Sequence, residues 1–141
     1  VAPGPAASAA AAETARGSPT LAAETAAARK MAGLLRGRTI PDASLLFMRQ
    51  TWLRVLALAY DAGGEQGPAW REALGTLEDL VWSVEAKADA AARARLRGLI
   101  PDLLRRLDAG MVYASIAADE RRAVRDALLA QHRELLQEPG K

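Results

Sequence analysis

Hydrophobic side chains recur at intervals of three and four residues along most of the chain, which is the spacing of one face of an α-helix. The sequence has no sustained alternation of apolar and polar residues, which would mark a half-buried strand, and β-branched residues are sparse. The pattern therefore predicts an all-α protein, a compact bundle of about four to five helices joined by short loops.

Residues 1–17 differ from the rest because they are mostly Ala, Pro, Gly and Ser, with almost nothing to bury. Ordering a backbone costs roughly 1–2 kcal/mol per residue, which such a segment cannot offset. We expect a disordered linker or tail at 1–17 and a single helical domain at 18–138. Because the first residue is Val, we also expect the chain to be a fragment or processed product of a larger protein.

Capping residues and prolines predict where the helices begin, and the positions so marked are Ser18 with Pro19, Asp42, Pro68 and Asp119. Gly63 and Gly64 are expected to end the second helix. Pro101 is expected to interrupt the fourth helix or split it after Ile100, because proline removes a hydrogen bond and crowds the preceding turn. The first helix has only a thin apolar stripe, formed by Leu21, Met31, Leu34 and Leu35.

Three tryptophans lie within the predicted helices and are the candidate core anchors, namely Trp52, Trp70 and Trp82. In the stretch LEDLVWSVEAK at 77–87, apolar residues cover more than half of the helix circumference, which predicts a central helix. We interpret Trp82 as a core side chain whose indole N–H finds a partner at the edge of the core. A tryptophan that stacks on a ligand is the alternative.

Charge and composition exclude several classes of site. Lys plus Arg number 19 and Asp plus Glu 17, a net charge of +2, which is a weaker basic excess than nucleic-acid binders usually show. The absence of cysteine excludes disulfides, thiolate zinc sites and cysteine nucleophiles, and a single His argues against a transition-metal site. No apolar stretch approaches the roughly 20 residues needed to span a bilayer, so we expect a cytoplasmic protein without a membrane span.

Four motifs from residue 40 onward, in the right order, resemble one known family. FMRQTWLRVLA at 47–57 resembles its Phe-Leu…Trp…Val-Leu signature, and LEDLVWSVEAK at 77–87 resembles its Leu-Leu-Trp-Ser-Val…Lys signature. LRGLIPDLLRRLDAGM at 96–111 is similar to its Leu…Ile/Val-Pro…Leu-Leu…Leu…Gly-Leu segment. The closing His…Leu-Leu of the family is matched by Gln131-His132 with Leu135-Leu136.

This family is a set of large bacterial proteins catalogued as domain of unknown function 1631. The resemblance implies that residues 40–137 belong to its C-terminal helical part. One departure is Glu85-Ala86, which stands before Lys87 where the family pattern has a proline next to the lysine. None of the motifs is catalytic, and nothing in them supports the thymidine phosphorylase label that some members carry.

Two kinds of ionisable residue are candidates for catalysis. His132 is the only side chain whose ordinary pKa lies near neutrality, but a histidine at the core margin bonded to a backbone carbonyl is the simpler interpretation. Glu78 and Glu85 share a helix face and could flank a substrate, with Asp79 beside them, although a solvated acidic face is more common. We therefore expect no catalytic residue, no metal and no cofactor.

The arginines are candidates for anion binding. Two pairs lie one helical turn apart and could each hold a phosphate, Arg93 with Arg97 and Arg121 with Arg125. Ordinary Asp/Glu–Arg pairing on solvated helix faces is the competing explanation. The sequence thus predicts a non-enzymatic helical protein–protein interaction module, whose partner is another protein or another region of the parent chain. The alternative is nucleotide (cyclic dinucleotide) or nucleic-acid binding through the arginine faces.

Overall fold

The computed structural model of the chain describes residues 18–137, which form five helices and no strand. The helices are α1 at Leu21–Leu35, α2 at 42–63, α3 at Pro68–Val84, α4 at Ala90–Tyr113 and α5 at Ala118–Leu135. The predicted all-α bundle is therefore confirmed for this part of the chain. The linker predicted at 1–17 and the last residue of the predicted domain, at 138, lie outside the described residues.

Helix α2 is central and contains a π-helical turn. It consists of an α segment at Asp42–Phe47, a π segment at Met48–Trp52 and a second α segment at Leu53–Gly63. The second α segment contains five consecutive buried residues, Val55, Leu56, Ala57, Leu58 and Ala59. Five consecutive residues cover the whole circumference of a helix, so this segment must have neighbours on every side. Helices α1, α3 and α4 all pack against α2. The third helix, predicted to be central, shares the middle of the bundle with it.

Trp52, at the end of the π segment, joins three helices. Its indole Nε1–H donates a hydrogen bond to the main-chain oxygen of Ala73 on α3, at 2.9 Å. On the other side its ring lies directly against Gly110 of α4, where a β-carbon would be 2.3 Å from Trp52 Cη2. The side chain is 1% exposed, so both the indole N–H and the ring are sealed from water.

Helix α2 begins one residue earlier and α5 two residues earlier than the predicted caps imply, and α1 has a different cap. Thr20 caps α1, accepting from the Ala23 N–H at 3.1 Å, so the predicted cap at Ser18 is wrong. The Thr20 hydroxyl in turn donates to Asp61 on α2, at 2.6 Å, which secures the start of α1 to a neighbouring helix. Asp42 and Asp119 lie in the first turns of α2 and α5 and do not cap them.

The predicted break at Pro101 is wrong, because α4 runs without interruption from Ala90 to Tyr113. Proline at this position removes the hydrogen bond to the carbonyl of Arg97. Both Pro101 and Arg97 are exposed, so water can reach the unpaired carbonyl on that side of the helix. The cost of the proline is thereby reduced, and packing against the core keeps the helix continuous.

Helix α1 packs mainly against α2 and buries only a narrow strip, formed by Ala23, Ala27 and Met31. Leu21, which the sequence places in its apolar stripe, is 79% exposed. Leu34 and Leu35 are partly buried. The expectation of a weakly anchored first helix is therefore wrong: alanines let α1 approach α2 closely, and among residues 18–137 the contact between these two helices is more extensive than that of any other pair.

Ion pairs connect the acidic helix α3 to the basic helix α4. Arg106 donates to Asp79 on α3 at 2.7 Å and to Asp102 on its own helix at 2.8 Å. Arg121 on α5 donates to Asp108 on α4 at 3.0 Å. Such partly exposed pairs contribute at most about 1 kcal/mol each to the free energy of unfolding. Their main effect is therefore to select the register between the helices.

Replacing Gly110 by Ala tests the contact with Trp52. The added methyl group must displace the indole or the α4 backbone, and we expect the free energy of unfolding to fall by about 1–3 kcal/mol. The matched control is Gly98→Ala, on the same helix but exposed and with open space around it, which should raise stability by about 0.5–1 kcal/mol through helix propensity. Urea unfolding followed by far-UV circular dichroism measures both. Equal effects of the two changes would contradict the close contact.

Candidate functional site

The three tryptophans have different environments. Trp52 and Trp70 are in the apolar core, and Trp70 also makes an edge contact with Tyr60, with 5.8 Å between ring centroids. Trp82 is half-buried and lies outside that core, contrary to the expectation that it is a core anchor. Two cations lie over its ring, Lys87 Nζ and Arg95 Cζ, each 4.2 Å from the ring centroid. Trp82 therefore acts as an aromatic acceptor for positive charge.

A buried polar cluster joins the end of α3 to α5. His132 Nε2 lies 3.0 Å from the hydroxyl of Ser83, and the two residues are 1% and 0% exposed. The Ser83 hydroxyl proton is already donated to the Leu80 carbonyl at 2.8 Å, so His132 Nε2 must carry the proton of their shared bond. Nδ1 of His132 is buried and has no hydrogen-bond partner within residues 18–137. The network thus fixes a proton on Nε2 of His132.

Lys87 closes the end of α3. Its Nζ donates to the main-chain oxygens of Trp82 and Glu85 at the C-terminal end of the helix, where the Trp82 oxygen also accepts from the Glu85 N–H. Helix α3 ends in an extended Glu85, without a left-handed glycine, so the lysine ammonium does the work of a C-cap. Burial lowers the pKa of Lys87, with the Glu85 carboxylate opposing that shift and Arg95 adding to it.

The same surroundings keep His132 uncharged. Burial is the main cause that lowers its pKa, and the positive charge of Lys87 adds to the effect. The sequence interpretation expected a backbone carbonyl as the partner of His132, whereas the structure shows the Ser83 hydroxyl. A serine and a histidine can act as nucleophile and base only where substrate reaches them. Both are sealed from solvent here, so the pair serves to tie α5 to α3.

The acidic residues singled out in the sequence do not form a site. Asp79 pairs with Arg106, and Glu85 pairs with Arg38 at 2.7 Å, which links the loop after α1 to the end of α3. Glu78 is exposed. Among residues 18–137, no three His, Asp or Glu side chains come together to hold a metal ion. No helix in this part of the chain is long and apolar enough to cross a membrane.

The four arginines proposed as anion contacts do not converge. Arg121 is occupied by Asp108 and by the Ile116 carbonyl, at 3.0 and 2.7 Å. Arg121 and Arg125 line a groove between α4 and α5 together with Arg105, but Arg93 and Arg97 are not part of it. One arginine of the second predicted pair is therefore already engaged, and the first predicted pair lies outside this groove.

A groove that sequence reasoning missed lies between α1 and α2. We call it the α1–α2 groove; its volume is about 440 Å³ and its lining residues are Ala28, Met31, Ala32, Leu35, Arg36, Arg49 and Leu53. The floor and walls are apolar, and the two charged residues at the rim are both arginines. Its residues come from two helices and the loop between them, so helix periodicity alone could not have found it.

A second groove, of about 490 Å³, lies between α3 and α4 above Trp52. Alanines and glycines form much of its lining, which lets the two helices leave a gap. Charges of both signs surround it, from Arg71, Glu72, Arg105 and Arg106. Two of the four, Arg105 and Arg106, are engaged with Asp102, so this rim has no clear preference for one sign of charge.

A family model described as "Protein of unknown function (DUF1631) third domain" matches residues 13–129. The match includes α1 and so begins before residue 40, where the resemblance of the motifs begins. It confirms the family predicted from those motifs. No curated protein and no solved structure matches the chain.

The buried, neutral His132 predicts acid sensitivity. Its pKa in the folded state is below the ordinary value of about 6.5, so the unfolded chain binds the proton more readily. The contribution of the neutral His132 to the free energy of unfolding is therefore fully present above about pH 6.5, and it is lost as pH decreases through the folded-state pKa. We expect the urea midpoint to fall between about pH 7 and pH 5, and to fall less in His132→Gln, whose neutral amide can still donate to Ser83. Parallel pH profiles of the two proteins would contradict this.

Removing the ammonium of Lys87 should uncap α3. Lys87→Met keeps the apolar stem but loses two charge-assisted hydrogen bonds, and we expect a loss of about 1.5–3 kcal/mol in the free energy of unfolding. The control is Lys30→Met on the exposed surface of α1, expected to change stability by less than about 0.5 kcal/mol. Urea titration of both variants decides, and a Lys87→Met protein as stable as the control would refute the capping role.

Proposed function

Because the chain belongs to the DUF1631 family, as its third domain, we propose that it is a non-enzymatic helical module that binds another protein. The observation that carries the proposal is the α1–α2 groove, an apolar trough open to solvent with charged residues only at its rim. An apolar centre with a polar margin is the usual anatomy of a protein–protein interface. The proposed module is bacterial and cytoplasmic, and a chain without cysteine fits a reducing compartment.

The apolar surface of the groove is accessible to a partner. Leu35 and Leu53 are half-buried, and Ala28 and Ala32 are exposed, while Met31 forms the floor. Leu46, one turn before Arg49 on α2, is 56% exposed and adds a large apolar side chain beside the groove. Burying apolar surface contributes about 25 cal/mol for each Å² removed from water, which offsets the entropy lost on association.

The one-sided packing of α1 also supports the proposal. An isolated helix of this length is marginal in water, and α1 depends mainly on one neighbour, α2. Its buried strip consists of Ala23, Ala27 and Met31, so the rest of its surface is available to a partner. A partner helix in the groove would contact both α1 and α2.

Other functions have less support. The buried Ser83 and His132 pair offers no nucleophile to a substrate, and the acidic candidates are paired or separate. Nucleotide binding relied on two arginine pairs, and in one of them Arg121 already holds Asp108 and a main-chain carbonyl. The other pair, Arg93 and Arg97, lines none of the grooves described above. We therefore keep protein binding as the proposed function.

The test is recovery of a partner on the immobilised chain. Nuclease-treated lysate of the host bacterium is passed over the protein at about 50 and about 200 mM salt, and bound proteins are quantified by mass spectrometry. We expect a stoichiometric protein that survives the higher salt. Ala32→Gln, which narrows the groove without adding charge, should reduce its recovery by about tenfold, the effect of losing roughly 1.4 kcal/mol of binding energy.

The control for this experiment is Ala130→Gln, at an exposed position on α5 far along the chain from the groove. It should bind the partner as the unaltered chain does. Recovery of salt-labile nucleotide or nucleic acid alone would overturn the proposal and favour the arginine faces. Equal losses in Ala32→Gln and Ala130→Gln would show that the partner does not use the groove.

A further inference from the structure

The α1–α2 groove and its surroundings carry an excess of positive charge. Residues 21–38 contain one acid, Glu24, against four bases, Arg29, Lys30, Arg36 and Arg38. Arg38 is neutralised by Glu85. None of the ion pairs formed among residues 18–137 involves the two rim arginines, Arg36 and Arg49. The groove thus presents an apolar floor between two positive charges.

We propose that the α1–α2 groove binds an acidic amphipathic helix of a partner protein, with its apolar stripe on Met31, Leu35 and Leu53 and its carboxylates against Arg36 and Arg49. This inference rests on the proposed function, because it specifies the chemistry of the partner. Helices that dock in grooves place residues i, i+3, i+4 and i+7 in the apolar trough. Acidic residues flanking that stripe would meet the arginines at the rim.

The shape of the groove suits a helix. Ala28 and Ala32 lie one turn apart on α1, so this wall is low and lets a third helix approach closely. The opposite wall is α2, where Arg49 and Leu53 are also about one turn apart. Two walls whose lining residues lie one turn apart accept the ridge of side chains that a third helix presents.

Charge complementarity decides which helix binds. Complementary charges at a rim raise the association rate and exclude wrong partners, whereas the apolar floor supplies most of the affinity. A basic helix would bring its cations to Arg36 and Arg49 and would be repelled. A partner with carboxylates on both sides of its apolar stripe gains contacts at both rim arginines.

Two other occupants fit less well. Single-stranded RNA binds through aromatic platforms on which bases stack, and the lining of this groove contains no aromatic residue. A second copy of the chain could offer the acidic helix α3, but the apolar face of that helix is committed to its own core through Leu77, Val81 and Val84. Both alternatives are measurable outcomes of the test below.

The experiment uses two fluorescein-labelled peptides of about four helical turns that share one leucine stripe, one flanked by glutamates and the other by lysines. Fluorescence anisotropy with the full chain gives their affinities. We expect the acidic peptide to bind at least about tenfold more tightly. Arg36→Glu and Arg49→Glu should each weaken it by about threefold to fivefold, and the double variant should bind the basic peptide instead.

The matched control is Arg97→Glu, an exposed arginine on α4 outside the groove, which should leave both affinities unchanged. Circular dichroism of every variant confirms that it is folded. A reversal of peptide preference in the double variant, with no change in Arg97→Glu, would establish the groove as the site. Arg97→Glu lowers the net charge by the same amount as each single groove variant, and misfolding does not create affinity for a basic peptide.

Four outcomes would overturn the inference. The first is equal binding of the two peptides, and the second is an effect of Arg97→Glu as large as that of Arg49→Glu. The third is competition of single-stranded RNA with the acidic peptide. The fourth is a self-assembled form, seen in sedimentation experiments, that the groove variants dissociate. If neither peptide binds while the lysate experiment yields a salt-resistant partner sensitive to Ala32→Gln, the proposed function stands and only the acidic-helix chemistry fails.

Discussion

The indole of Trp52 is the contact around which the bundle is arranged. It belongs to α2, donates its N–H to a carbonyl of α3 and lies with its ring on the backbone of α4 at Gly110. A hydrogen bond and a steric contact from one rigid side chain fix two neighbouring helices at once, and both are sealed from water. Helix α5 packs against α3 and α4, and α1 packs against α2. The positions of these two outer helices therefore depend on the three helices that Trp52 joins.

The family motifs acquire a structural meaning from these contacts. Trp52 comes from the first motif, and Gly110 from the third. Ser83 and Lys87 of the second motif meet His132 of the last one in the polar cluster between α3 and α5. The departure from the family pattern at Glu85-Ala86 also has a structural role, because Glu85 ends α3 and pairs with Arg38. Residues that mark the family thus hold the helices together, and the candidate binding surface lies elsewhere, on α1 and α2.

Helix periodicity was sufficient to predict the fold, because buried positions at three- and four-residue spacing determine which face of each helix is inside. That reasoning found the all-α class, the buried Trp52 and Trp70 and the glycine end of α2. It failed where the result depends on three-dimensional surroundings. Pro101 is tolerated because it faces water. Trp82 is half-buried, and the cations of Lys87 and Arg95 lie over the face of its ring. The α1–α2 groove was missed because Arg36 and Arg49 line the same groove only after α1 has packed against α2.

The π turn in α2 has a consequence for insertions and deletions. A π turn contains about one residue more than an α turn, so deleting one residue between 48 and 51 would let the segment close as an ordinary α turn, with the two halves of α2 keeping nearly the same faces. A second deletion would have no surplus residue to remove and would rotate the two halves relative to each other by roughly 100°. Val55 to Ala59 are apolar on every side and would tolerate such a rotation, whereas Trp52 would not, because its two partners have fixed positions. The segment therefore tolerates the loss of one residue but not of two.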